Sequence, residues 1–484
     1  MSRQVNNALA RWSGLLVVLA SLLLILLVVT QRSAAQEKQA IPSLFVSAPV
    51  QQLKSPTAAQ SERLTQLRSR PTTESIHVVR INEKALSSDQ FTVALPGMKT
   101  LTLAITESET LKGDILTWSG AVVGNNSGTA TLVLHNGEVT GSINTPSGLY
   151  RITPIGDGMH AVIKVDVKKF PPDEPPSPQA KDQKPSQTPM NPAEGSAADA
   201  NPTQIDVLVA YTPAAKAAVG DVDAKIALAI SETNTAYTQS LINARLHLVD
   251  SFQVSYSETV NNQKKTFDTI LADFVAMPLV NQRRDQSNAD VSVLLIDQND
   301  YCGEADAIMA TAATAFVIVH YDCATGYYSF GHEIGHLLGC RHDTYVDSTT
   351  CSYAAYCHGY VHDSDWRTIM AYGNACGGCQ RLQYFSNPNV KHNSLPMGTT
   401  NLNYCAKVIN DNAPTVAGFR TPSACRAGYT KCFGKCVDLD WDKGNCGKCG
   451  KKCGSLQACE DGECLSPCPA GTHRCDGFCR RICP

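Results

Sequence analysis

Residues 332–343 read HEIGHLLGCRHD. On a helix, His332 and His336 stand one turn apart, at i and i+4, so both imidazoles leave the same face. Two neutral imidazoles at that separation can hold one Zn²⁺ at about 2.0–2.1 Å per bond. Glu333 sits beside the first of them, placed to accept a proton from water at the metal without being a ligand. Gly339 supplies the stop, because glycine enters the left-handed region with no Cβ penalty. The chain then turns and returns His342 as a third ligand, with Asp343 behind it. Three protein ligands leave a fourth position for water, the mark of a catalytic rather than a structural site. A bare HExxH arises by chance, but here His332, Glu333, His336, Gly339, His342 and Asp343 all agree.

Around this stretch, 484 residues give room for two or three domains. A net charge of −3 and a pI near 6.5 argue against a nucleic-acid binder, which would carry a basic patch. The cysteines say more. None precedes Cys302, eight fall between 302 and 405, and twelve between 425 and 483. Both counts are even, as full pairing into disulfides requires.

The first 35 residues account for the cysteines. Arg3 and Arg11 precede an apolar run from Leu15 to Val29, followed by Ser33-Ala34-Ala35-Gln36, a small-residue cleavage context. This is the pattern of a secretory signal peptide, with an uncleaved membrane anchor as the alternative. The run falls short of the roughly 20 apolar residues of a spanning helix. Either way the rest of the chain is exported, to surroundings where disulfides persist. We therefore expect a secreted, extracellular protein, touching a membrane only if the leader stays uncut.

Residues 36–170 begin polar, then from 76 become short alternating strands: IHVVRI, FTVAL, LTLAI, TATLVLH, EVTGSI, LYRITPI and AVIKVDV. Asn136-Gly137 and Gly156-Asp157-Gly158 are hairpin signals, so an all-β domain is expected. Residues 171–202 are proline-rich and almost without large apolar side chains, which reads as an extended linker open to proteolysis. A signal peptide, a β module and a cuttable linker ahead of the histidine motif suggest a propeptide, with a permanent accessory domain as the other reading. Inhibition by such a propeptide would need a carboxylate, for which Asp157, Asp166 and Asp173 are candidates, or simple steric cover.

Residues 203–420 carry strand runs IDVLVAY, LHLVDSFQVSY, DVSVLLI and TAFVIVHY between helical segments. Thr212-Pro213 gives the cap and first-turn proline of one helix, and residues 223–243 have the spacing of another. The expected class is α/β (α+β) with a mixed sheet. The motif helix should start near Thr325–Ser329 and end at Leu338. His320, His358, His362 and His392 lack ligand spacing and read as ordinary surface or partly buried histidines.

Residues 424–484 place twelve cysteines in about sixty positions with few aliphatic residues, too few for an ordinary core. CRAGYTKCFGKC (425–436) is repeated as CPAGTHRCDGFC (468–479). Disulfides are preferred here over a zinc knuckle at the 446–449 CxxC, because the chain is exported.

Beginning 25 residues past the end of the motif, TIMAY (368–372) places Met370. HExxHxxGxxHD followed by such a methionine resembles the metzincin clan of zinc endopeptidases, and Asp343 resembles its reprolysin branch. VLVAYTPAAK, CGEAD (302–306), FGHEIGHLLGCRHD, TIMAY, FSNP (385–388) and VAGFR (416–420) together resemble the bacterial peptidyl-Asp metallopeptidases over residues 203–420. The 424–484 region resembles the Stig1-like cysteine-rich modules. The resemblance implies one catalytic zinc held by His332, His336 and His342, with Glu333 as general base. It implies Met370 packed beneath the metal and Asp343 anchoring the turn after the third ligand. Tyr372 would either donate to the oxyanion or wall the cleft. It also implies that the TAFVIVHY strand is the sheet edge that binds extended substrate.

Cleavage on the amino side of Asp, also implied by the resemblance, calls for a cation in the pocket, for which Arg381 and Arg367 are candidates. Protein or peptide substrates and a monomer are expected. The rival from another class is a non-catalytic adhesive or binding protein that uses the protease fold as a scaffold.

Overall fold

The computed structural model describes residues 41–46, 50, 55–111, 115–124, 128–173 and 202–420. Beyond 420 it describes 425, 428–432, 435–454, 457–460, 462–465, 473–475 and 478–480. The signal-peptide stretch, most of the proline-rich linker and much of the second cysteine repeat lie outside these residues. Among the described residues no helix is long and apolar enough to cross a membrane.

Helix α1 (Ala58–Arg68) opens with a capping box, in which the Thr57 hydroxyl accepts from the Gln60 N–H and the Gln60 side chain answers it. Eight strands follow: β1 (Thr73–Arg80), β2 (Gln90–Val93), β3 (Leu101–Leu111), β4 (Ile115–Val122), β5 (Thr129–His135), β6 (Glu138–Thr145), β7 (Gly148–Gly156) and β8 (Met159–Val165). They form one antiparallel sheet in the order β1-β8-β7-β6-β5-β4-β3-β2. The all-β expectation holds, with one strand more than the sequence suggested. Strand β4 was missed because it is buried along nearly its whole length, which erases the alternation. One face packs on the sheet's own core beside Trp118, and Ile115 joins a cluster with Ala224, Ala227 and Leu228 of a helix described below.

The second sheet is built from β9 (Thr203–Tyr211), β10 (Ala244–Gln253), β13 (Val291–Ile296), β14 (Gly303–Ala305) and β15 (Phe316–His320). A small hairpin, β11 (Thr259–Val260) and β12 (Gln263–Lys264), stands apart. The order is β10-β9-β13-β15-β14, parallel except for β14, so the sheet is mixed, as expected. Helices α2 (Pro213–Val219), α3 (Val222–Gln239), α4 (Phe267–Ala276) and α5 (Pro278–Ser287) join these strands. The Thr212 hydroxyl caps α2 by accepting from the Ala215 N–H, ahead of Pro213.

One expectation fails. The edge strand is β14, and β15 lies inside the sheet between β13 and β14 with every residue buried. A three-residue strand carrying Gly and Glu has no hydrophobic run to announce it, so TAFVIVHY looked like the last strand.

Helix α6 (Ser329–Leu337) follows β15 and is buried along its whole length. It packs on α3 where Gly331 meets Thr233. Short strands β16 (Val361–His362), β17 (Trp366–Arg367) and β18 (Gln380–Arg381) form a small sheet below it; β19 (Asn387–His392) pairs with β20 (Leu395–Met397), and α7 (Cys405–Val416) closes the core.

The β module is fastened to the second sheet by buried polar contacts. Arg151 donates to the Asp322 carboxylate at 2.6 Å and to Thr325 O at 3.1 Å, and Thr72 donates to the same carboxylate at 2.6 Å. All converge on the segment 322–326 that leads into α6.

Six disulfides are present among the described residues: 302–323, 351–357, 376–379, 432–449, 446–459 and 453–464. Full pairing of the eight cysteines between 302 and 405 is not found, since Cys340 and Cys405 are buried thiols. Each sulfur lies against a carbonyl, Cys340 Sγ near Cys405 O and Cys405 Sγ near Cys357 O.

Candidate metal centre

Helix α6 ends as its sequence requires. Gly339 has φ +99°, the Gly339 N–H donates to His336 O and the Cys340 N–H to Gly335 O, both at 2.9 Å. This is the paired closure of a Schellman stop. The turn brings His342 back over the helix. His336 Nε2 then lies 3.1 Å from His332 Nε2 and 2.9 Å from His342 Nε2. The ligating atoms of all three histidines lie within 4.8 Å of one another.

Whether a metal fits is answered by the protons. His332 Nδ1 is 2.8 Å from Ile369 O, and His336 Nδ1 is 2.8 Å from Cys340 O. A carbonyl only accepts, so His336 carries its proton on Nδ1 and turns an Nε2 lone pair inward, while His332 Nδ1 meets both the Ile369 carbonyl and, at 2.8 Å, the Arg381 Nη2 donor. The three Nε2 atoms are gathered closely enough to share one cation between them. Burial holds all three imidazoles below the usual histidine range, His336 at about 4, with Arg381 adding its positive charge against His332 and His342. Neutral rings are what a metal needs. Three histidine nitrogen donors suit zinc.

The predicted supporting residues fall into place around them. Met370 is fully buried, and its sulfur sits where any side chain on Gly335 would have to go, at 2.7 Å from that position. The motif therefore needs glycine there. Asp343 accepts the Tyr345 N–H on one carboxylate oxygen at 3.0 Å and the Tyr372 N–H on the other at 2.8 Å. Its carboxylate joins the turn after the third histidine to the segment carrying Met370. The Tyr372 ring lies 4.2 Å from that of His342, centre to centre, and is buried. Glu333 is buried, with its carboxyl against Gly303 of the edge strand, where an added methyl would overlap it.

Arg381 and Arg367 both line a cavity of about 610 Å³ beside the histidines, together with Tyr372 and Tyr327. Arg381 is buried behind His332. Its Nε and Nη2 donate to Ile369 O at 2.9 and 2.6 Å, and its Nη1 to Tyr327 O at 3.0 Å. Arg367 donates to Ala371 O and to the Tyr327 hydroxyl, each at 3.1 Å. Both guanidinium groups ride over the Tyr327 ring. The structure thus sets Tyr372 against His342, Arg381 against His332 and Asp343 against the Tyr372 backbone, while Glu333 faces Gly303 and Arg367 reaches Tyr327.

Three contributors were not anticipated. Gly303 makes room for Glu333; the CGEAD resemblance held the signal, but nothing in it linked that glycine to the helix. Tyr327 carries both arginines. His358 is not a surface histidine: it is buried, with Nδ1 2.7 Å from His342 O and Nε2 3.0 Å from Thr349 O, so it fixes the backbone of the third ligand. His320 is buried as well, on a strand covered on both faces, and His392 is buried against Trp366 at the end of a strand that is otherwise partly exposed.

A model of "Metallo-peptidase family M12" matches residues 201–386. A BamI lipocalin-like domain matches 53–166, and the stigma-specific STIG1-like protein family matches 386–467. The peptidyl-Asp metalloendopeptidase of Xanthomonas campestris pv. campestris is 36% identical over 388 residues, 75% of this chain and 90% of that protein. The peptidyl-Asp metalloendopeptidase of a Stenotrophomonas maltophilia strain is 35% identical over 396 residues, 77% of this chain and 93% of that protein. Among solved structures, metalloproteinase-II from Bacteroides fragilis covers 66% of this chain and 90% of that one, at 10% identity and a TM-score of 0.38. That last likeness is too slight to carry an argument.

Proposed function

Since the chain belongs to the M12 metallopeptidases, as a metalloendopeptidase of the peptidyl-Asp type, we propose that it hydrolyses peptide bonds on the amino side of aspartate, with zinc held by His332, His336 and His342. The observation that carries this reading is the meeting of three Nε2 atoms at 2.9 and 3.1 Å, with two of the rings pinned by carbonyls on the far side.

Zinc bound there would polarise the scissile carbonyl and make nearby water more acidic. The chain's own groups do the rest. Glu333 accepts the proton of the attacking water and returns it to the leaving amine. Tyr372, beside His342, is the phenol donor placed to steady the oxyanion, an effect worth a few kcal/mol at about the upper end. The edge strand β14 offers main-chain groups for an extended peptide to pair with. Arg381 and Arg367 supply positive charge in the adjoining cavity for the carboxylate that follows the cut bond.

We further read residues 1–35 as a signal peptide, 36–170 as a propeptide and 171–202 as its cuttable linker, giving a secreted zymogen with a Stig1-like module at 424–484. The six disulfides fit an oxidising compartment. The presence of Glu333 beside all three histidines supports the catalytic reading over the non-catalytic rival.

The test is a digest of a proteome-derived peptide library by the processed enzyme, with the cuts read by mass spectrometry. Cuts before Asp, lost on adding a chelator, are expected. Cuts indifferent to the following residue would overturn the specificity, and cuts that survive the chelator would overturn the metal chemistry.

A further inference from the structure

The start of the proline-rich linker does not leave the molecule at the end of the β sheet. Phe170 stacks on Tyr327, with ring centres 4.2 Å apart and planes 22° from parallel. Tyr327 is the ring under Arg367 and Arg381. The Pro171 carbonyl lies 3.3 Å from Cys302 Sγ, and the Pro172 carbonyl accepts the Cys302 N–H at 3.0 Å. Cys302 immediately precedes the edge strand β14. Asp173 then turns its carboxylate to Arg381, with Oδ1 3.5 Å from Nη1, and both side chains are buried, 8% and 2% exposed. Phe170, Pro171, Pro172 and Asp173 all line the cavity that Arg381 and Arg367 line.

We propose that residues 170–173 are a tethered acidic peptide held in the substrate cleft, with Asp173 occupying the place of the aspartate that the enzyme reads. The proposal rests on the Asp-directed reading above and adds the regulation of that same cleft. Of the three carboxylates considered from sequence, the other two are engaged away from the arginines. Asp157 accepts from Gln60 Nε2 at the tip of the β7–β8 hairpin, and Asp166 caps the turn at Lys168.

The segment also carries the reason it is not itself a good substrate. An extended peptide joins a sheet edge through alternating N–H and C=O groups. Pro171 and Pro172 have no N–H, so this stretch makes its carbonyl contacts and cannot complete the ladder. If Asp173 were read as the residue after the cut, the bond at risk would be Pro172–Asp173. The carbonyl of that bond is already taken by the Cys302 N–H. Phe170 on Tyr327 and the Arg151 guanidinium 5.2 Å over the Phe170 ring fix where the segment enters.

The experiment uses the full-length chain in a Glu333→Gln background, so that self-cleavage does not remove the segment. Two fluorescein-labelled hexapeptides are titrated by anisotropy, Ala-Ala-Ala-Asp-Ala-Ala and the same peptide with Asn for Asp. Asp173→Asn should tighten the Asp peptide at least tenfold and the Asn peptide by less than threefold. Asp173→Ala should give the same pattern. No gain for either peptide would overturn the proposal. An equal gain for both would also overturn it, since the segment would then cover the cleft without its carboxylate being read. Wild-type enzyme cut in the linker is assayed on both peptides in parallel. Preference for Asp there keeps the Asp-directed reading even if the tether fails, and no preference removes the reading itself.

Discussion

The backbone N–H of Tyr372 donates to the Asp343 carboxylate at 2.8 Å. The bond ties the residue after the third histidine to the segment that places Met370 beneath the helix. Two distant stretches of sequence therefore move as one piece. Asp343→Ala leaves the Tyr372 and Tyr345 N–H groups without their buried acceptor, at a cost of about 2–4 kcal/mol for the pair. Supporting residues of this kind change metal affinity by roughly 10–100-fold when lost. Thermal melting together with a zinc competition titration measures both, and unchanged zinc affinity would contradict the role assigned to Asp343.

Gly303 is expected to be intolerant of a side chain because the Glu333 carboxyl fills the space where a Cβ would go. Gly303→Ala should lower kcat at least tenfold while zinc content stays at the wild-type level. Displacing a general base by a fraction of an ångström costs rate rather than binding. Kinetics paired with metal analysis separate this from general unfolding, since an unfolded variant loses zinc too.

Glu333→Gln removes the proton acceptor but none of the ligands. It should cut hydrolysis by roughly 10²–10⁴-fold, the usual range for a lost general base, with zinc retained. His336→Ala should lose metal and activity together. Equal zinc loss in the two variants would place Glu333 among the ligands instead.

Acid should loosen the β module through His160. Its ring is 2% exposed and its Nε2 accepts the Val139 N–H at 2.9 Å. Burial, with the nearby Arg80 charge adding to it, lowers its pKa to about 4. Near neutral pH the ring is uncharged whether the chain is folded or not. As pH falls from about 6.5 towards 4, the unfolded chain takes up a proton that the folded chain refuses, so stability drops across that window. The loss below the folded value is on the order of 3 kcal/mol. His160→Gln keeps an acceptor for Val139 and should flatten this part of the profile. Urea midpoints at pH 7, 5.5 and 4.5 measure it, and an unchanged slope would count against His160.

The site was legible because its parts are short-range. Helix spacing places His332 and His336, a glycine stop at 339 returns His342, and each step needs only local geometry. The β sheet was legible through its alternation, except at Ile115–Val122, where burial on both faces hides the period. What sequence could not carry was contact between distant segments. Cys340 and Cys405 are buried thiols hydrogen-bonded to each other rather than joined by a disulfide, and an even count holds no information about that. The edge strand Gly303–Ala305 is three residues without a hydrophobic run, so it left no trace in the pattern. Arg381 was picked out by its charge, yet its hold on Ile369 O behind His332 appears only once the chain is folded. His358 was passed over for the same reason: its partner is a backbone carbonyl sixteen residues away.

The central claim is that one metal ion sits among His332, His336 and His342. Anomalous diffraction recorded on both sides of the zinc absorption edge tests it most directly. We expect a single strong peak that vanishes below the edge, about 2.0–2.1 Å from the Nε2 atom of each of the three rings. A zinc peak bound elsewhere, or rings turned apart with no peak between them, would contradict the account.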